Sequence, residues 1–164
     1  MGFETDSKRG VQSHYGPRVV NNSFGGRLPG NGIIKLAMWD FAFDQLPAPG
    51  TSNLQQVIPA GATIVTAKFV VDAAWTSSGA ATTLTVGLQQ ADGTEIDNDG
   101  LLTAANLDDP IIEDAADVGK IVTGTGDLVG VSIGAAAGEL KVTQSVDDLT
   151  AGQARVLVEY ITAS

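Results

Sequence analysis

The chain has 164 residues, 43% of them hydrophobic and 17% charged, and a net charge of −10. That length suits one domain, and the composition is that of a folded chain rather than a disordered one. The absence of cysteine excludes disulfide frameworks, thiolate zinc sites and cysteine nucleophiles, and a single histidine leaves little from which to build an imidazole-based site.

The charge is unevenly spread. Residues 1–35 hold five basic and two acidic side chains, a net +3, whereas residues 36–164 hold four basic and seventeen acidic, a net −13. An acidic body argues against nucleic acid as a direct partner, because phosphate binding needs a cationic face. The opening MGFETDSKRG has no apolar core of a signal peptide, and no apolar run approaches the ~20 residues of a membrane span. The sequence therefore predicts neither a secretory signal nor a membrane contact.

Residues 1–32 read as an extended arm. SKRGVQSHYGPRVVNNSFGGRLPGNG breaks every few residues at glycine, proline or asparagine and keeps no period. Yet Phe3, Tyr15, Val19, Val20, Phe24 and Leu28 are scattered along it, which predicts a segment that docks rather than a free tail.

Strand signals begin at Ile33 and define a body over residues 33–164. IIKLAMWDFAF alternates on Ile34, Leu36 and Met38, then on Trp39, Phe41 and Phe43. The change of phase predicts a bulge near Met38–Trp39. QLPAPGTSN reads as a loop, LQQVI as a short strand and PAGA as a turn. IVTAKFVVDAAW places Val65, Ala67, Phe69, Val71, Ala73 and Trp75 on one face. TTLTVGLQQ points Leu84, Val86 and Leu88 inward, and the short TSSGA link predicts that these two strands pair with each other. GLLTAAN reads as a helical turn or two, with Asp99 as N-cap and Asn106 near the end. KIVTG, DLVGVSIG, ELKVTQSV and ARVLVEYIT read as strands. GTGD, AAAGE and DDLTAGQ read as turns. In the last strand Val156, Val158 and Tyr160 share one face.

Seven to nine short strands, frequent turns and no long amphipathic helix predict an all-β fold, an antiparallel β-sandwich of jelly-roll-like form behind an extended N-terminal arm. Valines and isoleucines on outward faces predict a surface buried between subunits.

Candidate chemistry is sparse. ADGTEIDNDGLL carries Asp92, Glu95, Asp97 and Asp99 within eight positions. Counted from Glu95, the residues at positions 1, 3, 5 and 6 of a calcium loop are Glu95, Asp97, Asp99 and Gly100, but position 12 is Asn106, which lacks the bidentate carboxylate. No metal is expected, and Glu95, Asp97 and Asp99 are the weak candidates should one bind. An Asp92–Gly93 hairpin turn explains the same residues. GKIVTGTGDLVG fails as a phosphate loop: Ile121 follows Lys120 where Ser or Thr is needed, and Gly124, Gly126 and Gly130 miss the dinucleotide spacing. His14 lies in the arm, away from any preorganised site. Trp39 and Trp75 sit on apolar strand faces and read as core rather than as a sugar platform. No cofactor and no enzymatic activity are predicted.

The strings GVQSHYGPR, VIPAGATIVTAKFVVDAAW and LQQADGTEIDNDG resemble the capsid decoration, or cement, proteins of tailed bacteriophages. The resemblance covers most of the chain and is weakest over residues 103–127. It implies a non-enzymatic virion protein on the outer capsid surface, a homo-trimer that bridges subunits of the major capsid protein. On that reading Arg9, Tyr15, Arg18, Phe24 and Arg27 are the arm's contact residues. The alternative is a receptor- or glycan-binding β-sandwich module of a phage fibre or adhesin.

Overall fold

The computed structural model describes residues 13–15, 26–28, 34–46, 57–79, 82–104, 115–145 and 148–162. The backbone falls into two units, Met1–Lys35 and Leu36–Ser164. In the first, β1 (Ser13–Tyr15) pairs antiparallel with β2 (Gly26–Leu28), His14 opposite Arg27.

Seven further strands follow: β3 (Ile34–Ala42), β4 (Thr63–Ser77), β5 (Thr83–Gln89), β6 (Glu95–Leu102), β7 (Ile121–Thr123), β8 (Glu139–Ser145) and β9 (Leu149–Ile161). They form a four-stranded sheet, β3-β9-β4-β7, and a three-stranded sheet, β6-β5-β8. The pairings are nested. β5 pairs with β6, β4 with β7, Ile58 bridges Gly138, and β3 neighbours β9. A chain folded as one long hairpin and then rolled, so that β4 also meets β9 and β5 also meets β8, is a jelly roll. Among the described residues its second strand is represented by the bridge at Ile58. The fold is all-β, as its strand count and turns imply.

The two sheets close on a core whose largest buried side chains include Trp75, Phe69, Ile58, Ile64, Leu84 and Leu88. Phe41, Phe69 and Trp75 form an aromatic trio with ring centroids 5.9–6.1 Å apart, Phe41 edge-on to Phe69. Leu84, Val86 and Leu88 of β5 and Val156, Val158 and Tyr160 of β9 point inward as their alternation predicts.

Several local expectations are overturned. β3 keeps one phase: Ala37, Trp39 and Phe41 are buried, while Ile34, Leu36 and Met38 face outward. The apparent phase change comes from large apolar groups on its outer face, not from a bulge. The bulge lies in β4 instead, where Ile64 opposes Tyr160 and Thr66 opposes Glu159. Val65 is squeezed out to solvent there, and Ile64 takes the core position. β4 and β5 do not pair; their link crosses from one sheet to the other. GLLTAAN begins inside β6 rather than as a helix, and DLVGVSIG is a series of turns and isolated bridges, Ile64 to Val129 and Thr63 to Ser132. LTAGQ belongs to β9, not to a turn. Asn106, most of QLPAPGTSN and the start of LQQVI lie outside the described residues.

Gly152 is what lets β9 continue through LTAGQ. Its φ is +134°, and a Cβ there would lie 2.3 Å from the Trp75 ring. Gly152→Ala combines overpacking with backbone strain, so thermal or denaturant unfolding should register a loss of about 2–4 kcal/mol. Gly134→Ala meets no neighbour and should cost about 1 kcal/mol, from its positive φ alone.

Candidate functional site

Two surfaces of the body carry the residues that composition singles out: the acidic tip around β6 and the outer face of the four-stranded sheet.

The tip is built by close backbone approach. β5 and β6 join through a turn in which Gly93 N–H donates to the Gln90 carbonyl and Gln90 N–H to the Thr94 carbonyl. Asp92 Oδ1 accepts from Thr94 N–H at 2.9 Å, which holds the Asp92 carboxyl below its usual pKa. The Asp92–Gly93 turn is therefore present. Beyond it β6 leaves regular pairing: Leu88 opposes Asp97, but Val86 opposes Leu102. Gly87 makes room for this excursion, since a Cβ there would sit 1.9 Å from the Asp97 carbonyl oxygen. Asn98 reaches past β5 to accept from Thr143 Oγ1 of β8 at 2.9 Å. On the other side Leu128 N–H donates to Gly100, and Gly126 N–H to Leu101. A Cβ on Gly126 would lie 2.3 Å from the Asp99 carbonyl oxygen. Gly124 and Gly126 thus serve close packing against β6, a need that the simple reading of hairpin turns misses.

The weak calcium candidates are held as follows. Glu95 pairs with Lys141 of β8. Asp97 Oδ1 accepts from Asp99 N–H at 3.2 Å. Asp99 lies within β6, not at a helix N-cap. Partial burial pushes the Asp97 carboxyl above its usual value, and the nearby charges of Asp99 and Asp127 add to that. Among the described residues no group of three or more His, Cys, Asp or Glu side chains is placed to hold a metal ion.

On the outer face of the four-stranded sheet, cross-strand ion pairs run through the centre. Lys68 meets Glu159 at 3.5 Å, and Arg155 meets Asp72 at 2.7 Å, its Nε also bonding both carboxylate oxygens. Lys120 pairs with Asp117 at 3.0 Å. With Lys141 on Glu95, all four cations of residues 36–164 sit against a carboxylate. None is left to form a cationic patch for phosphate. Such exposed pairs add little to stability; their larger effect is to cancel charge locally.

Around those pairs the face is apolar. Leu36 is 54% exposed and Met38 39% on β3, and Ile121 is 60% exposed on β7. Leu157 and Ile161 of β9 and Val70 of β4 are half-buried on the same side. Where this sheet ends, an open notch of about 430 Å³ is lined by Asp40, Gln45, Asp72 and Gln153 beside Phe41. It offers carboxylate and amide groups but no nucleophile beside a base. Trp39 and Trp75 are buried, so neither forms a sugar platform.

Of the arm residues named from sequence, Tyr15 lies in β1 and Arg27 in β2; Arg9, Arg18 and Phe24 lie outside the described residues.

A scan against protein-family models and a search of curated proteins find no match. A search of solved structures finds a chain described as the cyanophage Pam1 capsid asymmetric unit. It is 22% identical, with 88% of this chain and 99% of that one covered and a TM-score of 0.45.

Two outcomes follow from the tip. Because the folded Asp97 carboxyl is raised above its unfolded value, its ionised form carries a cost at neutral pH. That cost is relieved as pH falls through the folded value toward 3.8. Asp97→Asn keeps the acceptor for Asp99 N–H, so denaturant unfolding should find it stabilised at pH 7 by up to about 0.5 kcal/mol, with the gain fading near pH 4. With Glu95 and Asp97 already engaged, millimolar calcium should leave the melting temperature unchanged; a clear rise would locate a site at Glu95, Asp97 and Asp99.

Proposed function

We propose that this chain is a non-enzymatic structural protein of a phage virion, a decoration protein on the outer surface of the capsid. It binds as a trimer and ties neighbouring subunits of the major capsid protein together. The observation that carries this reading is the outer face of the four-stranded sheet. A well-packed body holds Leu36, Met38 and Ile121 in solvent, and exposed apolar surface of that kind is characteristic of a surface meant to be covered. The resemblance of GVQSHYGPR and LQQADGTEIDNDG to decoration proteins says which kind of assembly covers it. The rest of the molecule agrees. Every cation of residues 36–164 is paired, and no catalytic constellation is assembled among the described residues.

The arm, residues 1–32, supplies the capsid contact in this proposal. It carries Arg9, Arg18 and Arg27 with Tyr15 and Phe24 between them. A basic segment leading an acidic body can cross a subunit boundary and add contact area that a small domain lacks. Bridging of this kind opposes outward pressure on the shell without any chemistry.

The test uses capsids stripped of the protein. Full-length chain should co-sediment with them. The triple variant Arg9→Glu, Arg18→Glu, Arg27→Glu should bind at least about tenfold more weakly, while its circular dichroism and melting temperature stay those of the parent. A chain lacking residues 1–32 should not bind. Undiminished binding by both would refute the arm's role, and absence of binding by the parent chain would refute the decoration role.

A further inference from the structure

Outer faces of sheets in lone domains are ordinarily polar, because alternation sends apolar residues to the core. Here both margins of one sheet break that rule on the same face. At the β3 margin stand Leu36 and Met38. At the β7 margin stands Ile121, which is paired across the ladder with Val70. Between them run Leu157 and the ion pairs Lys68–Glu159 and Arg155–Asp72.

Charge selects what can cover such a face. Residues 36–164 carry a net −13, so two copies approaching at random repel each other. Two of the four cations of residues 36–164 are concentrated here, each against a carboxylate of the neighbouring strand. With Asp40, also exposed on the outward side of β3, the face carries two cations and three carboxylates, much less acidic than the tip around β6. A basic partner would find stronger attraction at that tip. A second acidic copy finds less repulsion here than there. The strand edge points the same way. β3 borders the sheet, and between Lys35 and Asp40 it carries no charge and no proline. Lys35 and Asp40 flank this stretch and are the only charges on the strand.

We propose that the outer face of the β3-β9-β4-β7 sheet is the self-association surface of this protein, and that its occupant is a second copy of the chain. The β3 margin of one copy, with Leu36 and Met38, covers the Val70 and Ile121 margin of the next. The two margins are different surfaces, so the contact is heterologous and can close into a ring. The inference rests on the assembly reading above for the identity of the partner, but its test needs no capsid.

The test is the mass in solution of the full-length chain, by size exclusion with light scattering or sedimentation velocity, across a dilution series. The parent should run as a closed multiple of 16.8 kDa. Leu36→Glu and Ile121→Glu, one on each margin, should each weaken association at least about tenfold, with far-ultraviolet circular dichroism unchanged. Val57→Glu replaces an exposed apolar residue beside Ile58, which bridges Gly138 next to β8 of the other sheet, and should leave association intact. A monomeric parent overturns the proposal; so does an assembled parent whose mass neither margin variant alters, or a Val57→Glu chain that dissociates as they do. Should the margin variants fail to fold, hydrogen exchange on the parent decides. Protection of β3 amides that rises with protein concentration supports the proposal, and protection independent of concentration overturns it. A self-associating parent that ignores capsids would sink the decoration role and leave this surface standing.

Discussion

The antiparallel ladder between β4 and β9 sets the frame on which the other body elements hang. It runs from Thr63 opposite Ile161 to Ser77 opposite Leu149 and occupies the centre of the four-stranded sheet. Its inner face supplies Phe69, Val71, Trp75, Val156 and Val158 to the core. Its outer face supplies both central ion pairs. The ladder is not regular. The bulge at Val65 moves Ile64 inward, and Gly152 lets β9 pass against Trp75 where any side chain would collide. These two adjustments keep one face of two long strands continuously apolar while the sheet twists. Once β4 and β9 are paired, β3 and β7 become edges, and the nested hairpin has to roll to bring β5 against β8.

The parts of this fold legible in the sequence are those with one buried face. β5 and β8 alternate cleanly because their outward residues are mostly polar or charged, and in β9 Arg155 and Glu159 mark the outward face although Leu157 and Ile161 share it, so the period of two is visible. β3 misleads because both of its faces are apolar: Trp39 and Phe41 serve the core, whereas Leu36 and Met38 lie exposed on the outer face. Periodicity alone cannot separate those purposes. The departure of β6 from helix to strand is hidden for another reason. Its path depends on Gly87, Gly124 and Gly126, residues distant in the chain whose missing side chains admit its backbone. Sheet membership is likewise unreadable, since a short loop of small residues serves a hairpin and a crossing between sheets equally well.

The same division applies to the candidate site. The acidic character of Asp92 to Asp99 is plain from composition, and so is the Asp92–Gly93 turn. The engagement of Glu95 by Lys141, and of Lys68 and Arg155 by Glu159 and Asp72, is not, because the partners lie 46, 91 and 83 residues apart. That long-range pairing offsets most of the charge on the outer face of the four-stranded sheet. The most conspicuous string in the sequence thus becomes a packed tip. The surface proposed for assembly carries no motif at all.

The central claim is that this chain works as a stoichiometric part of a shell. Quantitative mass spectrometry of purified virions, paired with electron cryomicroscopy of the same particles, tests it most directly. The account predicts this protein in a fixed, near-stoichiometric ratio to the major capsid protein, with density of a jelly-roll body standing on the outer surface. Trace abundance, or density confined to the tail or the interior, would contradict it.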